Sequence, residues 1–528
     1  MMISALLLSF LLVPSLSINV LVYSPAFGIS HTNYMARLAD TLTDAGHNVT
    51  FLVPIANERN RKHLGVKKTK DVIEVERDEE MKQNQQSGVE DFELMWTTDM
   101  KSEDIAGVVS GFDTMMQLTC ANLLRNQKVI DKLRERHFDV AINEPFHMCG
   151  MGLFEALGIK KTILVASCAY QDFLMPYIGD PEEFSYVPAS FSKSSDKMTI
   201  MEKYENYKLV MELTKSVEKS YAAETQLYRE KFGMDIPDWK ELTSRASLYF
   251  INSIPYIDFP RPTIQKTVFI GGITVDMEKI RTMKLSKEWD AILNRRKKNV
   301  LISFGTAVPS MYMPKVWRQN ILDMIKSYPD ITFIWKYESN ETEWAGSVQN
   351  VHFQDWVPQL ELLGDGRITA FITHGGLGSL IELAYMGVPA IMIPILWDQN
   401  RNSNMLARHG GAIVMMKKEL EDVELLKGNV REILDNGAYR ENAKRLAGML
   451  ADQPNQPKEL LVKYTEFVAK FGPFPQMDPY GRQLNWFQKN MIDVYLFLSI
   501  PYLLFVVVIY FVSRFLLSKY MVRHTKMD

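Results

Sequence analysis

The chain has 528 residues, a net charge of −3, 23% charged and 47% hydrophobic residues. This composition excludes a disordered scaffold, and a charge so close to neutral leaves no broad electrostatic footprint for nucleic acid. A chain of this length can bury large cores and is expected to hold two globular domains, with the basic runs at 59–70 and 295–298 read as solvated loops.

In chain order, residues 1–17 form a leucine-rich stretch ending in Pro14-Ser15-Leu16-Ser17, with small residues where a signal peptidase needs them, and read as a cleaved signal peptide. Ile18 to Ser24 is then a short apolar strand, Thr32 to Ala45 has helical spacing of Tyr34, Leu38, Ala39 and Leu42, and Asn48 to Pro54 is the next strand. Such alternation implies a parallel sheet with helices on both faces. Val140 to Asn143, Thr162 to Val165 and Tyr249 to Asn252 are further strands, the last one closing a first domain of residues 18–260, and Met198 to Phe232 is a long helix. A linker of residues 261–299 is expected after the proline-rich Pro255 to Pro262.

A second alternation starts at Val300-Leu301-Ile302-Ser303-Phe304-Gly305-Thr306, a strand running into a glycine turn. It continues through Ile331 to Trp335, Val351 to Phe353, Ala370 to Thr373 and Ala390 to Ile393, then through a largely helical stretch from Leu420 to Phe471, giving a second domain of residues 300–490. Residues 491–513 are almost wholly apolar, long enough to cross a hydrocarbon core of roughly 30 Å, and Pro501 would kink such a helix. Arg514, Lys519, Arg523 and Lys526 in the tail, residues 514–528, put that tail in the cytosol by the positive-inside rule and the body in the lumen, a type I membrane protein. Two sequons, at Asn48 and Asn340, suit a luminal body. Lys526 partly matches lysine-based retrieval to the endoplasmic reticulum. Cys120, Cys149 and Cys168, an odd number without metal-like spacing, argue against a disulfide framework and against zinc.

The most informative run is Phe371-Ile372-Thr373-His374-Gly375-Gly376-Leu377-Gly378-Ser379, followed by Glu382, Pro389, Pro394, Asp398 and Gln399. An apolar strand, a glycine turn and a helical stretch from Ser379 to Met386 outline an anion site in which backbone N–H groups and a helix N-terminus face a phosphate. The whole spaced set resembles the signature of the UDP-glycosyltransferase family, most closely the animal UDP-glucuronosyltransferases.

The resemblance implies two doubly wound domains facing a cleft, the GT-B glycosyltransferase fold, with a membrane-anchored body. It implies that His374 and Ser379 bind the diphosphate, Glu382 the ribose hydroxyls, and Asp398 with Gln399 the sugar, a carboxylate and amide pair offering acceptors and donors to a polyhydroxylated ring. Gly376 belongs to the same turn. Trp356 and Gln359 match the family's uracil-stacking and uracil-fixing pair, and Ser303, Gly305 and Thr306 would help hold the leaving UDP. Gly378 departs from the asparagine that animal members often carry, which leaves one phosphate contact open.

Transfer to an alcohol needs a base, and the resemblance points to His31, which follows the first strand where the first helix begins, a position whose dipole helps keep imidazole neutral. Family members orient this histidine with an aspartate. The matching segment here offers Glu144, with Asp139 at the start of its strand the lesser alternative. Arg261 aligns with an arginine that in glucuronosyltransferases pairs with the glucuronate carboxylate. Inverting displacement without a metal is implied, and no DXD-type motif stands out. The acceptors implied are small and lipophilic, and the stretch from Tyr170 to Tyr177 is either a lining for them or plain core. UDP-glucuronate is the favoured donor, UDP-glucose the alternative, and a non-catalytic binding or partner subunit the reading from another class. Pairing with itself or with relatives stays open.

Overall fold

The computed structural model describes residues 17–85, 92–99 and 105–524. Apart from Ser17, the expected signal peptide lies outside the described residues, as does Lys526. The chain divides into a body, Met1–Met477, and a separate unit, Asp478–Asp528.

The body contains two sheets whose strands all pair in parallel. The first comprises β1 (Asn19–Tyr23), β2 (Asn48–Pro54), β3 (Asp71–Val75), β4 (Val140–Asn143), β5 (Thr162–Ala166), β6 (Leu248–Ile251) and β7 (Thr267–Phe269), in the order β3-β2-β1-β4-β5-β6-β7. The second comprises β8 (Lys298–Ser303), β9 (Ile331–Lys336), β10 (Val351–Gln354), β11 (Ile368–Thr373), β12 (Ala390–Met392) and β13 (Ala412–Val414), in the order β10-β9-β8-β11-β12-β13. Both orders reverse direction beside their first strand, as in doubly wound sheets, and ligands of such sheets bind beyond the carboxyl ends of the strands at that reversal.

The central strands are apolar throughout because both of their faces are covered. Leu21 and Tyr23 of β1 enter one buried cluster while Val20 and Val22 enter the opposite one. On β8, Leu301 goes to one side and Val300 and Ile302 to the other. This alternation is the period of two that a strand imposes on its side chains.

Three expectations change. The stretch expected as linker contains β7, which adds a seventh strand to the first sheet, so Tyr249 to Asn252 is not its last strand. The cysteines do form a bridge: Cys120 and Cys149 are joined, with Cα atoms 5.7 Å apart, and Cys168 is free. An odd count leaves one thiol over but does not prevent the other two from pairing. The helix expected from Thr32 begins at Ile29, so His31 stands in its first turn rather than ahead of it.

Among the contacts that tie the two sheets together, three stand out. The helix Pro457–Phe471 follows the second sheet but packs Leu461, Val468 and Ala469 against β1 and β4 residues of the first. The short helix Phe92–Thr97 belongs to the first sheet's connections yet buries Trp96 among Val300, Phe304 and Trp317, its indole N–H donating to the Pro309 carbonyl at 3.1 Å. The third tie is ionic. Arg401, fully buried, donates from Nη2 to Asp258 Oδ1 at 2.6 Å and from Nε to the Pro188 carbonyl at 3.1 Å. Burial works against the Asp258 carboxylate, but the charges of Arg401 and Arg261 outweigh it and hold its pKa low.

In the separate unit, the helix Ile492–His524 contains a 30-residue span, Ile492–Met521, whose most apolar 18-residue window has a mean hydropathy of 2.4, long and apolar enough to cross a membrane.

Removing one partner of a buried ion pair strands the other charge, so Arg401→Met is expected to destabilise the body by about 3–5 kcal/mol. Lys463→Ala, at the exposed Lys463–Glu459 pair, should cost less than about 1 kcal/mol. Denaturant unfolding of the two variants checks the contrast.

Candidate active site

Strand register builds the first half of the site. Tyr23 of β1 lies opposite Asn143 of β4, and Asn143 lies opposite Leu164 of β5. The loops leaving these three ends therefore meet, bringing together His31, Glu144 and Ser167. His31 Nδ1 is 2.9 Å from Glu144 Oε1 and 2.7 Å from Ser167 Oγ, and the Ser167 amide donates to the same Oε1 at 3.2 Å. A carboxylate only accepts, so Nδ1 carries the proton and Nε2 is left with a lone pair. Asp139, at the opposite end of β4, accepts from the Asn19 amide at 2.8 Å and is remote from this group.

The electrostatics differ from the expectation for a helix start. Burial disfavours the imidazolium, but the charge and hydrogen bond of Glu144, together with the Asp398 charge, outweigh it and raise the His31 pKa above its ordinary 6.5. Glu144 is held below the usual carboxylate range, burial being overcome by His31 and by the Ser167 bonds. His147, on the same loop, is buried and has its pKa lowered to about 4, so it stays neutral.

Around His31 stand three partly buried phenylalanines. Ring centroids of Phe27 and Phe146 are 4.6 and 4.9 Å from the imidazole, and Phe112 is 5.2 Å from Phe27. They make an apolar wall beside the base. The Tyr170 to Tyr177 stretch does not take that part: Tyr170, Phe173, Leu174 and Met175 are core, and the Tyr170 hydroxyl donates to buried Asp180.

The second half lies at the ends of β8 and β11, where Ser303 is the register partner of Thr373. His374 sits between the turns that follow these strands. A Cβ on Gly305 would come within 2.5 Å of its ring, and one on Gly376 within 2.6 Å, so glycine at both places is what admits the imidazole. Burial, with Lys336 adding to it, lowers the His374 pKa to about 4, although His374 donates to the Ser303 carbonyl. It is thus a neutral hydrogen-bonding group at a helix N-terminus. Gly378 has open space around it, Ser303 is buried and Thr306 is exposed.

Ser379 and Glu382 stand three residues apart on the helix Leu377–Met386, and Gln359 binds both. Its Nε2 donates to Ser379 Oγ at 3.0 Å and to Glu382 Oε2 at 2.6 Å. Burial pushes the Glu382 pKa up to about 7 despite the Gln359 bond. Trp356 is largely exposed on the loop between β10 and this cluster.

Asp398 and Gln399 open the helix Gln399–Ala407, after Trp397 in a left-handed conformation (φ 56°) that a bulky residue seldom adopts. The Gln399 side chain is committed at its oxygen. Its Oε1 accepts from the amides of Ile395 and Leu396 at 2.8 and 3.0 Å, so only the NH2 group remains for a ligand. Asp398 is partly buried, desolvation raises its pKa, and it accepts from Asn402 Nδ2 at 2.9 Å. Its charge acts on His31 across the cleft, which makes these two the meeting point of the halves.

Arg261 is held within the first domain, and its charge also reaches Asp258, the partner of Arg401. The Arg261 guanidinium lies over the Tyr170 ring at 4.0 Å and faces Asp172 Oδ1 at 3.5 Å. Ser167, the phenylalanine wall and Arg401 escaped the sequence reading. For Ser167 a signal existed, because it follows the carboxyl end of an inner parallel strand as Glu144 does.

A family model described as "UDP-glucoronosyl and UDP-glucosyl transferase" matches residues 19–527. A Caenorhabditis briggsae protein named as a UDP-glucuronosyltransferase, ugt-47, is 30% identical over 92% of this chain and 91% of its own length. Mouse UDP-glucuronosyltransferase 1A9 is 27% identical over 89% of this chain and 87% of its own. Among solved structures, the glycosyltransferase VinC in complex with DTDP aligns with a TM-score of 0.58 at 17% identity, covering 86% of this chain and all (100%) of its own. Phytolacca americana UGT2, complexed with UDP-2fluoro-glucose and pterostilbene, aligns at 0.57 and 15% identity with the same coverage, 86% and 100%. Both show the same two-domain GT-B fold.

Two pH dependences follow from this geometry. A base works in its neutral form, so kcat/KM should fall as pH drops through the His31 pKa, above 6.5. Glu144→Gln removes the raising charge and should move that limb to lower pH while cutting the rate. An unmoved limb in the pH–rate profile would contradict the pairing. Hydroxyl donors bind an ionised carboxylate more strongly, so UDP affinity should rise as pH rises through about 7. Glu382→Gln should flatten that dependence in titration calorimetry.

Proposed function

The chain belongs to the family of UDP-glucuronosyl and UDP-glucosyl transferases, and from that premise we propose that it moves glucuronate from UDP-glucuronate to hydroxyl groups of small lipophilic acceptors, with inversion at the anomeric carbon. The observation that carries this reading is the convergence of the His31–Glu144–Ser167 group with Asp398 across one cleft. In the proposed reaction His31 Nε2 takes the acceptor's hydroxyl proton, the oxygen bonds to the anomeric carbon, and the bond from that carbon to the diphosphate breaks. Glu144 orients the ring and stabilises the imidazolium formed. The departing UDP takes the electron pair, and its charge is met by fixed dipoles at the turns holding Gly305, Gly376 and Gly378, with His374 and Ser379. Glu382 would take the ribose hydroxyls, Asp398 and the Gln399 NH2 group the sugar. The wall of Phe27, Phe112 and Phe146 favours aromatic or otherwise apolar acceptors.

The choice of glucuronate rests on the named relatives. A second reading, glucose as donor sugar, is favoured by Arg261, whose charge already faces Asp172 inside the first domain. For location we infer a type I protein of the endoplasmic reticulum with its body in the lumen. The apolar span, the basic residues Arg514 and Arg523, the exposed sequon residues Asn48 and Asn340 and the Cys120–Cys149 bridge, which persists in oxidising compartments, support it.

Membranes containing the chain, given a simple phenol and each donor separately, are expected to form the glucuronide, with His31→Ala cutting turnover by about 10² or more and leaving UDP binding near normal. Product from UDP-glucose alone would replace the favoured donor by the second, and unchanged turnover in His31→Ala would remove His31 from the mechanism.

A further inference from the structure

Trp356 is 59% exposed, and the group facing it comes from the other domain. His63 ends the short turn Glu58–His63 that follows β2, and its ring lies 6.4 Å from the Trp356 ring with the planes only 10° apart. Stacked bases repeat at about 3.4 Å, so a planar ring held between two parallel rings needs them about 7 Å apart. The 6.4 Å separation of the ring centroids is close to that spacing, and both side chains are exposed.

The mounting of His63 is firm. Arg61 beside it pairs with Glu74 at 3.1 Å and with Glu76, and Asn57 Oδ1 accepts from the Arg59 amide at 3.0 Å. Asn60 is buried and donates to the Ala26 carbonyl at 3.4 Å, while the Asn57 amide donates to the same carbonyl at 3.1 Å. Ala26 precedes Phe27 and the helix of His31. On the other side Lys336 stands 5.9 Å from the Trp356 ring, pairs with Glu338 at 2.6 Å and donates to the Gly305 carbonyl at 2.9 Å. The segments that carry the two rings are therefore braced, one against the loop leading to the base, the other beside the diphosphate turn.

We propose that His63 and Trp356 form a two-sided clamp for the uracil of the donor, closed across the cleft between the domains. This rests on the reading of the donor as a UDP-sugar whose base stacks on Trp356. The clamp makes nucleotide binding a contact with both domains at once, so that seating the base in the second domain also engages the turn braced against the His31 loop. Stacking of a base on an aromatic side chain tolerates exchange of one ring for another, which separates it from a hydrogen bond made by imidazole.

The test is titration calorimetry of the detergent-solubilised full chain with UDP and with inorganic pyrophosphate, which has no base to clamp. His63→Ala should weaken UDP by about tenfold, within the range for loss of one stacking face, and His63→Phe should bind UDP within about twofold of the parent. Pyrophosphate affinity should be the same in all three proteins. Unchanged UDP binding in His63→Ala, equal weakening of UDP and pyrophosphate, or failure of phenylalanine to restore binding would each overturn the clamp. Failure of the parent chain itself to bind UDP would instead remove the donor reading, and the clamp with it.

Discussion

The buried pair of Arg401 and Asp258 is the constraint on which the rest of the site depends. Arg401 stands on the helix that Asp398 and Gln399 begin, and Asp258 belongs to the segment just after β6, so one 2.6 Å contact ties the sugar end of the second domain to the first. Its neighbours reinforce the same seam. Arg408 pairs with Asp196 at 3.1 Å and lies over Phe259, and Asn404 donates to the Lys193 carbonyl at 2.9 Å. Two charges removed from water offset their desolvation only with good geometry and further hydrogen bonds, and Asp258 has these from Ser253 and its own following amide. A seam of this kind fixes distance and angle more than it adds stability, and a reaction between groups on two domains requires that fixing.

Within the cleft the titrating groups are driven apart by their surroundings. His374 and His147 are pushed down by burial, while His31 is pushed up, against burial, because a carboxylate stands at one nitrogen. Three histidines therefore take two roles: one is poised to gain a proton, the others remain neutral hydrogen-bonding or packing groups. The carboxylates divide in the same way, Glu144 held ionised by its partner and Glu382 raised by burial until the Gln359 amide is its main support. Pairs of environments with opposite effects on like groups are how one site can house both a proton acceptor and neutral donors at the same pH.

Much of this was legible in the chain because the inner strands are apolar on both faces and the donor loop is contiguous. His374, Gly376, Ser379 and Glu382 lie within nine residues, and their spacing survives into the strand-turn-helix that holds them. β3, β7 and β13 were missed because they are edge strands of three to five residues, too short for a period to show. Phe112 and Arg401 acquire their roles only when distant loops meet, and nothing local marks them, whereas Ser167 is marked only by its place just after β5. The amides of Gln359 and Gln399 illustrate a different limit. Their residue types suit a ligand, but which of their atoms remain free is decided by Ser379, Glu382 and the 395–396 backbone. Arg261 and the Tyr170 to Tyr177 stretch had plausible chemistry and were turned inward, toward Asp172 and the core.

Whether the two halves form one reaction centre is tested most directly by a structure of the full chain with UDP and a phenol bound together. The phenol oxygen is expected within hydrogen-bond reach of His31 Nε2, about 2.6–3.2 Å, among Phe27, Phe112 and Phe146, with the diphosphate at the His374 to Ser379 turn. A phenol bound away from His31, or a diphosphate held elsewhere than at that turn, would contradict it.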